Sequence, residues 1–318
     1  MSEPCVAIIG LGATGAVLAA SLLACAPRTS LVVRRAEQRE QIRTQGITIT
    51  GEPHLHAQAE NLFDNVSSLK EREPELIFIC TKTFHLAGVL EALKEVVGPK
   101  TGIVSAHNGL GTEDLIAEVF GEKRAFRISL NFGASLRGAA ASHVNFFNPP
   151  NHLGALAAQN SELGLKAAEM LSRGGLKTQF VEDIKLHVWK KMIMKCTMAS
   201  ICAVTNKTIR EALELPATRE IAEACLGEAL AVARAKGYDP GKDYLNQAMA
   251  YLEKVGVHKD SMCVDIANRT RTEIDFLGGK IVEYGRQTGI PTPHFLTMTN
   301  LVRAMEHDYL SQGSAQPL

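Results

Sequence analysis

The stretch Cys5-Val6-Ala7-Ile8-Ile9, running into Gly10-Leu11-Gly12-Ala13-Thr14-Gly15 and then into an alanine-rich apolar segment, constrains this chain more than anything else in it. Strand, Gly-x-Gly-x-x-Gly turn and helix in that order are the parts of a dinucleotide-binding βαβ unit. Gly10 permits the tight turn, Gly12 lets the backbone approach a pyrophosphate, and Gly15 lets the helix pack closely on the strand. Leu11, Ala13 and Thr14 complete the loop and are expected to line the cofactor. At the helix N-terminus, unbonded amides and the helix dipole favour an anion. A strand-turn-helix with a purely structural role is the competing reading.

The rest of the chain keeps the same rhythm up to about residue 180. Val6 to Ile9, Leu31 to Val33, Leu76 to Cys80 and Gly102 to Ala106 are short apolar runs, each ending in a turn and leading toward a helix. Such alternation predicts a Rossmann-type doubly wound parallel sheet covered on both faces. Arg127 to Phe132, His143 to Phe147 and Lys177 to Val181 read as further strands. After Asp183 the strand signal stops. Ile184 to Val204, Thr218 to Ala235, Tyr244 to Val255, Ser261 to Gly285 and Pro293 to Met305 carry helical periodicity, so an all-helical second half is expected. The 318 residues thus divide into a dinucleotide-binding domain over 1–182 and a helical substrate domain over 183–318, with a disordered tail from Ser311 to Leu318.

Cofactor choice is read at the end of the second strand. An NAD-binding domain usually offers Asp or Glu to the ribose 2′-hydroxyl about 20 residues beyond the glycine turn. Arg34 and Arg35 stand there instead. A guanidinium binds a 2′-phosphate through charge-assisted, often bidentate hydrogen bonds, so NADP(H) is the expected cofactor, with Arg34 the stronger candidate. Two solvated loop arginines are the alternative. Thr81-Lys82 and His107-Asn108-Gly109 follow two later strands on the side where ligands bind in such folds. A lysine and an amide there could hold phosphate, ribose, nicotinamide or substrate.

Charge and cysteine usage exclude other classes. Lys plus Arg and Asp plus Glu both number 34, so no basic face for nucleic acid is expected. The seven cysteines are scattered without a Cys-x-x-Cys pair and read as reduced thiols of a cytoplasmic protein. No histidine motif suggests a metal, and His54 and His56 read as surface loop or strand residues. Ala16 to Ala26 imitates a signal-peptide core, but a glycine turn precedes it and no basic residue does, so it reads as a buried helix. No apolar run approaches the roughly 20 residues a membrane span needs. A homodimer is compatible with the chain.

In order and approximate spacing, Gly10-Leu11-Gly12-Ala13-Thr14-Gly15, Arg34, Thr81-Lys82, Asn108-Gly109-Leu110-Gly111, Trp189-Lys190-Lys191 and Thr272-Glu273-Ile274-Asp275 resemble the ketopantoate reductases (2-dehydropantoate 2-reductases) over nearly the whole chain. The resemblance implies a Rossmann domain followed by a helical domain like that of 6-phosphogluconate dehydrogenase, with the active site in the cleft between them. It also implies NADPH-dependent reduction of ketopantoate to pantoate, on the way to pantothenate and coenzyme A. By the same resemblance Lys191 is the general acid and Glu273 its carboxylate partner, Asn108 and Ser261 contact substrate, and Lys82 lies by the cofactor. An ammonium suits that chemistry, because it stabilises the charge growing on the carbonyl oxygen and supplies its proton. Without the resemblance, Lys191 would read as solvated and Glu273 as a residue favouring its helix N-terminus.

Two further expectations come from spacing. In one continuous helix Ser261 and Glu273 would be about 18 Å apart and about 120° around the axis, so an interruption is expected just before Glu273. Thr272 with Asp275 three residues on would then form a capping-box-like start. The family usually carries Asn four and eight residues after the catalytic Lys; here those positions are Lys195 and Ala199. All three share one helix face, so Lys195 and Ala199 are expected to look into the cleft, and Lys195 to draw an anionic substrate. This keeps two alternatives open: a reductase of a different 2-oxo acid in the same superfamily, and a non-catalytic NADP-binding sensor.

Overall fold

A computed structural model describes residues 4–313. Contacts separate the chain into two compact units. One runs to His107 and resumes over Thr112–Ile184; the other joins Asn108–Gly111 to the chain from Lys185 onward.

The first unit begins β1 (Val6–Ile9), α1 (Ala13–Cys25), β2 (Ser30–Val32), α2 (Ala36–Gln45), β3 (Ile47–Gly51), β4 (Leu55–Ala57) and β5 (Asn61–Phe63). It continues with β6 (Leu76–Ile79), α3 (Leu86–Leu93), β7 (Gly102–Ser105), α4 (Thr112–Phe120) and β8 (Ala125–Ser129). β9 (Phe132–Leu136), β10 (Ala141–Phe147), β11 (Asn151–Ala155), α5 (Ser161–Arg173) and β12 (Thr178–Phe180) complete it. Eight strands form one sheet in the order β12-β11-β8-β7-β6-β1-β2-β5. All its neighbours are parallel except β8 and β11. The expected doubly wound sheet is therefore present, with one antiparallel step.

Because the sheet is covered on both faces, its central strands are apolar throughout, and alternate residues enter different cores. Val6 and Ile8 of β1, with Leu76 and Phe78 of β6, join the cluster that includes α1 and α5. Ala7, Ile9, Ile77 and Ile79 join the one under α3 and α4. Each fully buried Ile, Leu or Phe contributes about 1.5–3 kcal/mol.

A second sheet, β4-β3-β10-β9, lies against α1. Its existence corrects the expected layout, in which residues 47–51 carried no strand, His54 and His56 lay in surface loop or strand, and Arg127 to Phe132 was a single strand. The last of these divides between β8 and β9, which belong to different sheets. Covered on two sides, α1 is buried continuously from Gly15 to Leu23, which accounts for its apolar, signal-like composition. His56 sits in β4, where its Nδ1 lies 3.1 Å from Thr48 Oγ1.

The second unit is helical: α6 (Ile184–Thr205), α7 (Ile209–Glu214), α8 (Pro216–Ala235), α9 (Tyr244–Val255), α10 (Ser261–Ala267), α11 (Gly278–Thr288) and α12 (Pro293–Gly313). α8 packs against α7, α11 and α12. The expected break falls between α10 and α11, which are joined by a non-helical stretch and a 3₁₀ turn at Ile274–Phe276. It is not opened by a capping box. Thr272 Oγ1 accepts from Ile274 N at 3.2 Å, while Asp275 turns to Arg303, 2.7 Å away. Of the tail expected to be disordered, residues 311–313 continue α12; the remainder lies outside the described residues. Among the described residues no helix is long and apolar enough to cross a membrane.

Candidate active site

In the first unit the candidate site lies where strand order reverses. From β1 the chain builds outward to β2 and β5, then crosses back to β6 on the other flank; ligands of doubly wound sheets bind at the carboxyl ends of strands beside such a switch. Gly10 ends β1 with φ +93°, and a Cβ there would lie 2.9 Å from Thr81 N at the end of β6. A Cβ on Gly15 would lie 2.0 Å from Gly10 O. Both glycines are thus demanded by close backbone approach, which presses the N-terminus of α1 against the loop. Gly12 is exposed, and no side chain caps α1. The loop leaves a bare cradle of backbone amides, which fits a pyrophosphate.

Buried Gln38 holds this loop from behind, donating to Leu11 O at 2.8 Å and Ala139 O at 2.7 Å. Arg34 is exposed just beyond β2, and Arg39 Nη1 donates to the carbonyls of Val33 (2.7 Å) and Arg34 (2.8 Å). Arg35 is engaged with Gln38 at 3.3 Å. Lys82 is half-buried at the start of a 3₁₀ turn after β6.

Beneath the same strand ends lies a buried polar network that the sequence did not reveal. Arg127, on β8, is 1 % exposed, and its Nε is 3.7 Å from Glu113 Oε2, a side chain 4 % exposed. Its Nη1 donates to Ser105 Oγ at 2.6 Å and to Thr112 Oγ1, and its Nη2 to His107 O at 2.7 Å. One guanidinium therefore grips both flanks of the Asn108–Gly111 segment. An arginine inside an otherwise apolar strand was the available signal, since a buried charge requires partners.

His107 belongs to this network, with Nδ1 3.0 Å from Ser105 Oγ. Burial first, and Arg127 second, pull its imidazole down to about 3. The unfolded chain takes up a proton near the ordinary value of 6.5 and the folded chain does not. His107 thus favours the fold fully above that value, and its contribution declines as pH falls toward 3. Denaturant titrations from pH 7 to pH 4 should show falling stability, and His107→Asn should flatten that dependence. An identical slope in the variant would remove His107 as its source.

In the second unit, Lys191 and Asn108 are brought together although 83 positions apart: Lys191 Nζ donates to Asn108 Oδ1 at 2.6 Å. Asn108 is carried there by a segment whose Leu110 N donates to Phe276 O at 2.9 Å. Lys191 projects from α6, whose position is set by buried Trp189, stacked on Tyr238 and tilted against Tyr284, each with centroids 5.9 Å away. Tyr244 donates its hydroxyl to Lys190 O. The amide is neutral, so its bond aims the ammonium without drawing on its charge.

One turn further along α6, Lys195 meets another of the expected site residues, donating to Ser261 Oγ at 2.9 Å. The expectation that its charge would be available to an anion is corrected. Asp260, which the sequence reading passed over, takes Lys195 Nζ at 2.5 Å, with side chains only 17 % and 7 % exposed. Asp260 also caps α10, accepting from Met262 N at 2.9 Å; an Asp directly before a helical run was its signal. Ala199, expected to line a cleft, is fully buried. Glu273 is half-buried at the start of the 3₁₀ turn. Its segment is anchored by α12, where Glu306 accepts from Thr272 N and Tyr309 donates to Thr270 O at 2.9 Å.

Comparison with known proteins gives these groups a context. Residues 6–157 match the family model described as ketopantoate reductase PanE/ApbA, and residues 183–306 match its C-terminal model. A 2-dehydropantoate 2-reductase of Streptococcus pyogenes serotype M3 is 27 % identical over 267 residues, 83 % of this chain and 86 % of that protein. The PanE/ApbA family ketopantoate reductase structure from Ralstonia eutropha superposes with a TM-score of 0.86 at 20 % identity, over 96 % of this chain and 99 % of that one. D-mandelate dehydrogenase, solved with NADH and anilino(oxo)acetate, superposes with a TM-score of 0.84 at 24 % identity and the same coverage. The last two likenesses establish the fold.

Proposed function

We infer the function from one premise: the chain belongs to the ketopantoate reductase family, and it is an oxidoreductase acting at a carbonyl or carbinol carbon. On our reading it reduces a 2-oxo acid to the 2-hydroxy acid with NADPH, and ketopantoate is the leading substrate. The observation that carries this reading is the 2.6 Å bond that aims Lys191 from Asn108.

The bare amides of the Gly10–Gly15 loop would hold the pyrophosphate of the cofactor, and Arg34 its 2′-phosphate. When bound, the nicotinamide supplies a hydride to the carbonyl carbon. Lys191 presents its ammonium to the carbonyl oxygen, opposes the negative charge growing there, and gives up its proton to complete the alcohol. Asn108 fixes the direction of that ammonium. Ser261, whose oxygen already accepts from Lys195, turns its own hydroxyl proton toward the substrate carboxylate. Glu273 orients Lys191 and accepts from a substrate hydroxyl.

Reductase activity is tested by NADPH oxidation across a panel of 2-oxo acids. If none is reduced, the reading fails in favour of a cofactor-binding sensor. Arg34→Ala should raise KM for NADPH by about 10- to 100-fold, the equivalent of a charge-assisted hydrogen bond, and leave that for NADH nearly unchanged. Equal effects on both cofactors would move the 2′-phosphate elsewhere. A second reading, another 2-oxo acid as true substrate, is favoured by Lys195 and the buried Ala199 in place of amides. The likeness to D-mandelate dehydrogenase, solved with an oxoacetate ligand, agrees with it. Relative kcat/KM on ketopantoate and on 2-oxo acids without a hydroxyl decides between them.

A further inference from the structure

We propose that Asp260 is a specificity-determining residue: by masking the charge of Lys195 it restricts the site to 2-oxo acids with one carboxylate and an uncharged side chain. This rests on the functional reading above and goes beyond it by naming the substrate class and the residue that imposes it.

Three observations carry the inference. Lys195 stands one helical turn from Lys191 on the same face of α6, where side chains four apart are neighbours. Its Nζ is taken up by Asp260 Oδ2 at 2.5 Å and by Ser261 Oγ at 2.9 Å. The carboxylate that answers it is held independently, since Asp260 Oδ1 accepts from Met262 N at 2.9 Å as the cap of α10.

A substrate carboxylate seeking Lys195 would have to displace an anion already placed, largely desolvated and tethered through its other oxygen. Electrostatically the pair is neutral. A second carboxylate on the substrate would gain nothing from Lys195 and would approach Asp260, whose charge repels it. The hydroxyl of Ser261, oriented by the bond it accepts, remains the donor offered at this end of the site, which suffices for one carboxylate. Half-buried His258 lies close enough to respond to both charges, but burial favours its neutral form, so it adds no cation.

The test is Asp260→Asn. Asparagine caps helices about as well as aspartate and keeps an oxygen for Met262 N, so α10 is preserved. Lys195 then carries an uncompensated charge. The ratio of kcat/KM for 2-oxoglutarate to that for 2-oxoisovalerate, with NADPH, should rise by about 10- to 100-fold, the size of one charge-assisted interaction. Lys195→Met in the same background should abolish the gain. Lys195→Gln alone, which uncovers Asp260 instead, should lower the ratio below wild type and serves if Asp260→Asn does not fold. Affinities of the two acids for the NADPH-loaded protein, measured by calorimetry, should shift the same way. Turnover with an unmoved ratio in both single variants overturns the proposal. A shifted affinity ratio without reduction of any acid would support the masking and overturn the reductase reading.

Discussion

Lys191→Ala is expected to lower turnover by about 10²- to 10⁴-fold, the range for a lost general acid, while NADPH still binds. Two features of the site set this size. The carbonyl oxygen loses both the positive charge that opposes its developing negative charge and the proton that completes the alcohol. The Asn108 amide, left without the Lys191 donor, has no proton acidic enough to substitute. Lys191→Arg separates the two losses. A guanidinium keeps the charge but does not release a proton near neutrality, so it should restore little turnover if proton transfer dominates and much of it if electrostatic stabilisation does. Cofactor affinity, followed by the fluorescence of NADPH, should be nearly the same in all three proteins, because the glycine loop and Arg34 belong to the other unit. Turnover equal to wild type in Lys191→Ala would remove the mechanism.

Arg127→Met is expected to cost about 3–5 kcal/mol of stability, the usual result of removing one partner of a buried pair. Glu113 would be left in the interior without its cation, and Ser105, Thr112 and His107 O would each lose a donor. The guanidinium's own desolvation, which already lowers its proton affinity, would be relieved and offsets part of the loss. Denaturant unfolding measures the change. Adding Glu113→Gln should recover part of it, because the residual charge is then gone, and the shortfall from additivity reports the coupling. A loss below about 1 kcal/mol, as for an exposed pair, would show that the network is solvated in solution. Because the same guanidinium grips His107 and Thr112 at either end of Asn108–Gly111, the variant should also lower turnover while Lys191 is still present.

The glycine loop and the strands around it were legible because their signals are local. Gly10 and Gly15 are required by contacts within a few residues or at the neighbouring strand end, and the apolar runs of β1, β6 and β7 reflect burial on both faces. β3 was not legible, and β4 only as a surface loop or strand around His56. They are short and partly exposed, and β3 joins its sheet by pairing Thr48 with Ala141, a partner that nothing near residue 48 announces. The break between Ser261 and Glu273 could be reasoned from helix geometry, but not its form, because Thr272 and Asp275 are claimed by Glu306 and Arg303 of α12 instead of by each other.

The sequence by itself determined the residue types, their order and their local geometry: a backbone cradle for an anion, an arginine where a carboxylate would select NAD, and lysines one turn apart on a helix. Only the tertiary structure decided which distant groups those lysines meet. Lys191 was met by a neutral amide 83 positions away, and Lys195 by a carboxylate 65 positions away. The two look alike in the chain, because a side chain's usable charge depends on its partners and its desolvation, and both are set by which distant segments the fold brings within a few ångströms.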